Sequence, residues 1–264
     1  MIKFQRYCLA LALIISITSC GSGGQSLEEF KAEFISAGGI CASQAPSITT
    51  STTTTADTNG QVDSFQTIEY LNCGEDEASI GLYSSEKSAR AGWWAYSALG
   101  EGLLISFGLE NKEHFQLIKG NFKVALPTEN YPKSKVDEIA KKLGAYVLSN
   151  QDIAIRKEIF SEVTAGSDNG GLDSVAAACL LKDGLSADGQ SIEADTEGEE
   201  DSDGDLISSV FCVLRATVAP DYVFESIKNT RSLDGRVEEK YGDYRTSWNY
   251  HPDDGLQLSL IFNG

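Results

Sequence analysis

Two histidines, one methionine and five prolines are all that 264 residues hold of those types. His114 and His251 sit in separate halves, each beside an expected hairpin. A zinc site gathers three or four His, Cys or acidic ligands, so no metal site is expected and both histidines read as surface residues. Basic residues are also few. The 21 Lys and Arg against 39 Asp and Glu give a formal charge of −18, and without a basic patch nucleic acid is not an expected partner. No G-x-S-x-G, H-E-x-x-H, phosphate-binding loop or dinucleotide fingerprint occurs, so no catalytic residue and no cofactor is assigned. One apolar run stands out, residues 7–17, and it falls short of the ~20 residues a spanning helix needs.

The setting of that run gives it a meaning. Lys3 and Arg6 precede it and small polar residues follow, the layout of a secretory signal. Ile17-Thr18-Ser19-Cys20 resembles the lipobox of bacterial lipoproteins, with Ile17 where leucine is usual. The resemblance covers about the first twenty residues. It implies that residues 1–19 are a removed signal peptide and that Cys20 takes a diacylglycerol on its sulfur and palmitate-type acyl chains. The mature protein, with a charge of −20 once Lys3 and Arg6 are gone, would then be held on the extracytoplasmic face of the cell membrane, since two acyl chains suffice for stable anchoring. Residues 20–25, with Gly21, Gly23 and Gly24, read as a flexible tether. The alternative is a plain secretory signal with Cys20 left free.

With Cys8 gone and Cys20 lipidated, Cys41, Cys73, Cys179 and Cys212 remain. An even number in an exported chain reads as two disulfides. Three pairings are possible; the matched separations of Cys41 from Cys73 and Cys179 from Cys212 favour those two and suggest a duplication. Ser26 and Glu29 form a capping-box pattern ahead of Leu27, Phe30 and Phe34 on one helical face. Residues 172–181 are the corresponding helical candidate. Strands are expected at 65–73, 78–83, 102–108, 206–211, 243–250 and 256–262, with a hairpin at 114–126. Helices are expected from Glu86, from Ser134 with Val136, Ile139, Leu143, Tyr146 and Val147 on its apolar face, and from Glu225. The cluster at 167–171 reads as a hinge.

The expected fold is therefore α+β. Two tandem domains, 26–151 and 152–264, would each be a small antiparallel sheet packed by helices and stapled by one disulfide. The other reading is two unlike domains with coincident cysteine spacing. The order of elements resembles small secreted or lipid-anchored domains of actinobacteria, most closely over residues 27–148, and that resemblance brings no activity with it.

Between the paired cysteines lie a threonine-rich stretch at 47–60 and an acidic run at 193–205, in which eight of thirteen residues are Asp or Glu. Such a run is expected to be a solvated loop with weak, non-specific cation attraction. An EF-hand counted from Asp201 would need glycine and glutamate where Leu206 and Cys212 stand. Adjacent on a helix, Trp93 and Trp94 point about 100° apart. Trp93, sharing a face with Ala89 and Tyr96, reads as core, and Trp94 as the candidate binding residue if exposed. The function expected is a non-catalytic binding module for an envelope protein, peptide or glycan. The alternative is an envelope hydrolase using a carboxylate pair that the sequence does not single out.

Overall fold

The computed structural model describes residues 24–42, 67–74, 77–109, 112–181, 184–199 and 204–264. Cys20, the signal and the threonine-rich stretch lie outside them. In the first half, helix α1 (Leu27–Ala37) opens on the expected capping box: Ser26 Oγ accepts from Glu29 N, and Glu29 Oε2 accepts from Ser26 N at 2.8 Å. Strands β1 (Glu69–Asn72) and β2 (Ser79–Leu82) lead to helix α2 (Glu86–Ser106). A hairpin of β3 (Phe115–Lys119) and β4 (Phe122–Leu126), helix α3 (Lys133–Leu143) and β5 (Tyr146–Ser149) follow. The five strands form an antiparallel sheet in the order β1-β2-β4-β3-β5.

Strand alternation gives this sheet two different faces. One cross-strand row, Leu71, Ile80, Val124 and Leu117, packs under Phe30, Phe34, Val136 and Ile139 of α1 and α3. The opposite face carries the rows Tyr70-Gly81-Lys123-Ile118 and Asn72-Ser79-Ala125-Gln116-Leu148. These rows grade from polar and small at the β1 edge to apolar near β5. Ile118 and Leu148 join the core around α2; the rest of that face is less fully covered.

The second half begins with α4 (Ile153–Val163), whose first turn is capped by Asp152 Oδ1 accepting from Ala154 N and Ile155 N. Then come α5 (Leu172–Ala178), β6 (Ser191–Asp195), α6 (Ile207–Ala216), α7 (Asp221–Lys228), β7 (Val237–Tyr241), β8 (Tyr244–His251) and β9 (Gly255–Phe262). The second antiparallel sheet has the order β6-β9-β8-β7. Ile192, Ala194, Trp248, Leu258 and Leu260 point inward, while Glu193, Ser247, Asn249 and Gln257 alternate outward. In each half a strand is followed by helical structure and then by antiparallel strands that return to it: β4 of the β3–β4 hairpin lies beside β2, and β9 of the β7–β8–β9 meander lies beside β6.

Disulfides join Cys41 to Cys73 and Cys179 to Cys212, one in each half. Their settings differ from expectation. Of residues 206–211, read as a strand, Leu206 is the N-cap of α6 and the rest belong to that helix, so Cys212 sits in a helix. A short run of Ile, Val, Phe and Leu is ambiguous in period, and here burial of Val210, Phe211, Val213 and Leu214 against neighbouring helices decides it. Residues 102–106 extend α2 instead of starting a strand, because Gly102 fits a close helix crossing: a Cβ there would lie 2.4 Å from Ser208 O and 2.6 Å from Cys212 N. Tyr146 and Val147 belong to β5, since Gly144 in the left-handed region (φ 66°) ends α3 first. The helix expected from Glu225 starts at Asp221 after Pro220, whose fixed φ suits a helix entry. The acidic run starts as β6, Glu193 and Asp195 taking its outward positions. Three elements, α4, β6 and β7, stand where no helix or strand was expected. The expected hinge at 167–171 is tied down by Tyr244 Oη donating to Gly170 O at 2.6 Å.

Helix α2 is the wall between the halves. Trp93, Trp94 and Ala98 join Ile118 and Leu148 on one side and α5, α6 and the second sheet on the other in a continuous apolar core. At its end Glu101, almost wholly buried, ion-pairs with Arg156 of α4 and lies 3.5 Å from Arg215 of α6. Arg156 Nε also donates to Asn150 O at 2.6 Å. Burial, with Arg215 beside it, brings the Arg156 guanidinium down to about 10, still charged at neutral pH.

Candidate functional site

The uncovered part of the first sheet forms a groove whose main arm is a cavity of about 400 Å³. Its floor is built by register: Tyr70 of β1, Ser79 and Gly81 of β2, Lys123 and Ala125 of β4 and Gln116 of β3 lie in adjacent rows of one face. Tyr83 and Tyr96 make the wall on the α2 side. Small residues create the space. Gly81 and Gly92 also let the Tyr83 ring lie between strand and helix, since a Cβ would stand 3.1 Å from it at Gly81 and 2.5 Å at Gly92.

Lys123 is the chemical centre of this arm. It is 8 % exposed, its Nζ 4.3 Å from the centre of the Tyr96 ring and 5.4 Å from that of Tyr83. These are cation–π distances. Among the described residues no carboxylate forms an ion pair with it, and burial brings the ammonium down to about 7, because desolvation penalises the charged form. Two neighbouring polar atoms are likewise buried without a hydrogen-bond partner, Tyr83 Oη and Gln116 Oε1. Burial pushes the Tyr83 hydroxyl far above its ordinary value, so it remains a neutral donor and acceptor. Tyr70 and Tyr96 stand at the rim, 37 % and 55 % exposed.

Ser79, Gln116 and Ala125 also line a second arm of about 260 Å³ that ends at Glu77, His114 and Pro127. Burial lowers the His114 imidazole below its usual value. This histidine, expected at the surface, is therefore partly enclosed at one end of the groove.

The residues singled out by sequence fall elsewhere. Trp94 is not a surface contact: it is fully buried, stacks on Phe160 at 5.8 Å, and its Nε1 donates to Ala216 O at 3.1 Å. That bond satisfies both the indole and a carbonyl at the end of α6, where backbone acceptors lose their helical partners. Trp93 is buried as expected, while Tyr96, read as sharing its face, is exposed at the groove rim, since the small floor residues leave its side of α2 uncovered. His251 is exposed beside Asp253 and Asp254. No group of three or more His, Cys, Asp or Glu able to hold a metal occurs among the described residues, and residues 200–203 of the acidic run lie outside them. No described helix is long and apolar enough to cross a membrane.

Sequence reasoning missed Lys123, although a signal was there. In the β4 stretch Phe122-Lys123-Val124-Ala125-Leu126 a lone lysine alternates with three large apolar residues. A hairpin strand normally turns such a residue to water, and only the partial cover supplied by α2 makes the position exceptional. Compared with known proteins, the chain matches no family model, no curated protein and no solved structure.

Proposed function

We propose that this chain is a non-catalytic binding module, tethered through Cys20 to the extracytoplasmic face of the membrane, and that the Lys123 groove is its ligand site. One observation carries the reading: Tyr83 Oη and Gln116 Oε1 are buried without hydrogen-bond partners around one cavity, beside Lys123, which is 8 % exposed and has no ion-pair partner among the described residues. Buried polar groups normally find partners, and leaving them unmet costs stability. A cavity of about 400 Å³ with a few convergent polar groups and a perturbed lysine has the size and make-up of a small-molecule site. The tether rests on the Ile17-Thr18-Ser19-Cys20 pattern, and the two disulfides fit an oxidising compartment.

The hydrolase alternative needs two carboxylates facing an enclosed substrate. Among the described residues, Glu77 is the one acid lining either arm of the groove. Glu193 and Asp195 share a face of β6 and, with Arg236 and Gln257, line a shallow cavity of about 250 Å³, but both acids already have protein partners there: Ser259 Oγ donates to Glu193 Oε1 at 2.8 Å and Gln257 Nε2 to Asp195 Oδ2 at 3.4 Å. The binding reading is therefore preferred.

Its test is amide chemical-shift mapping on the mature chain, residues 20–264 with Cys20→Ser, titrated with amino acids, amino sugars, uronic acids and short peptides. Shifts clustered on Gly81, Gln116, Lys123 and Tyr96 are expected. Shifts confined to other surfaces overturn the groove as the ligand site. For the tether, Cys20→Ser in the full chain should move the protein from the membrane to the soluble fraction; persistence in the membrane overturns that part.

A further inference from the structure

We propose that the groove takes a small organic monocarboxylate, its carboxylate paired with Lys123 Nζ and its apolar or aromatic body laid against the tyrosines of the rim. The inference rests on the groove being a ligand site and names what that site selects.

Charge counting sets the anionic group. Among the described residues, Lys123 is the one cationic side chain lining the main arm, no acid lines that arm, and neither Arg nor a second Lys lines the other. A single negative charge neutralises the site. A phosphate dianion would bring a second charge with no second cation to meet it, in a chain already at −18. A carboxylate offers two oxygens, one for the ammonium and one for a hydroxyl donor, and Tyr83 Oη beside Lys123 is such a donor without a partner. Hydrogen bonds to charged groups are the stronger kind.

The tyrosines set the body. The Tyr96 ring meets the Lys123 ammonium at 4.3 Å and is more than half exposed, and Tyr70 stands across the floor from it with over a third of its surface in water. Aromatic rims of this kind bury flat or apolar groups while keeping the phenol oxygens hydrated. Gln116 Oε1 adds a further requirement: it accepts, so a ligand bearing a hydroxyl or N–H near its carboxylate gains an additional bond.

Protonation couples to occupancy. Among the described residues, the titratable groups facing Lys123 are the hydroxyls of Tyr70, Tyr83 and Tyr96, while Glu77 and His114 lie at the end of the second arm. An arriving carboxylate holds the ammonium in its charged form, so affinity is full where Lys123 is already protonated and declines as pH rises past about 7.

The experiment is calorimetric titration of the mature chain carrying Cys20→Ser with phenylacetate, indole-3-acetate and N-acetyltyrosine, each beside its neutral amide, at about pH 6, 7 and 8.5. Acids should bind about ten- to a hundredfold more tightly than their amides at pH 6, with the preference shrinking at pH 8.5. Lys123→Met, its fold checked by circular dichroism and melting, should erase the preference, and Tyr96→Ala should weaken all three acids. Equal binding of acid and amide, or a preference that survives Lys123→Met, overturns the carboxylate inference and leaves the groove a binding site of another selectivity. Silence of every acid and every amide overturns both readings.

Discussion

The two sheets are built from similar strands and treated differently by their surroundings. The first has helices on both faces, α1 and α3 on one and α2 on the other, so a polar residue that points away from the α1–α3 core still meets protein. The second has one covered face; its outward residues Ser247, Asn249 and Gln257 meet water, and Asn249 Nδ2 donates to Gln257 Oε1 at 3.1 Å. Lys123 and Ser247 hold the same kind of position, outward on a hairpin strand, yet only Lys123 is buried. What separates a ligand cavity from an ordinary hydrated sheet here is incomplete cover by a second layer, and that layer is α2.

The comparison can be broken at its seam. Glu101→Ala leaves the Arg156 guanidinium buried without its carboxylate, a change that typically costs about 3–5 kcal/mol; chemical denaturation should show the loss, and near-ultraviolet circular dichroism should report it through Trp93 and Trp94. An effect at most as large is expected from opening the staples. Replacing Cys179 and Cys212 together by alanine should cost about 3–4 kcal/mol by loop-closure entropy. The equivalent change at Cys41 and Cys73 should cost a similar amount, because the closed loops have nearly the same length, 32 and 33 residues apart. Loss from one pair alone in a melting series would show that the halves use their bridges differently.

Lys123→Met sharpens the contrast between faces. Lys123 has a lowered folded value near 7, below its ordinary 10.5, so between those values the unfolded chain binds the proton and the folded one does not. Stability of the parent therefore rises with pH across that window, and below it the buried charge counts fully against the fold. The variant should be more stable by on the order of 2 kcal/mol near pH 6, with the gap closing towards pH 10 in paired urea titrations. At the matching outward position of the second sheet, Ser247→Ala should change stability by no more than about 0.5 kcal/mol at any pH.

Much of this arrangement was legible before the structure. The capping box at Ser26 and Glu29, the hairpin over 114–126, the helix from Glu86 and both cysteine pairs all carry local signals, and local physics sets them. What was not legible depended on neighbours. Residues 206–211 could satisfy either period, and helical neighbours, not propensity, fixed them as the cap and start of α6. Trp94 was read from its own element as a possible surface residue, but the carbonyl that satisfies it belongs to Ala216, far along the chain. Lys123 escaped notice for the same reason: its strand is ordinary, and its burial comes from Tyr83 and Tyr96 outside it.

The close crossing at Gly102 bears on how this protein can be divided. A fragment cut at residue 151 would keep α2 but lose the helix that Gly102 touches, leaving Trp94, Ala98 and Ile105 turned to water on one side of a long helix. Large newly exposed apolar patches promote association. The first half expressed alone would thus be a sticky molecule although its own sheet and disulfide were intact, and the second would lack the surface on which α6 lies. Each half supplies part of the other's interior, so the chain behaves as one unit of solubility despite its two sheets.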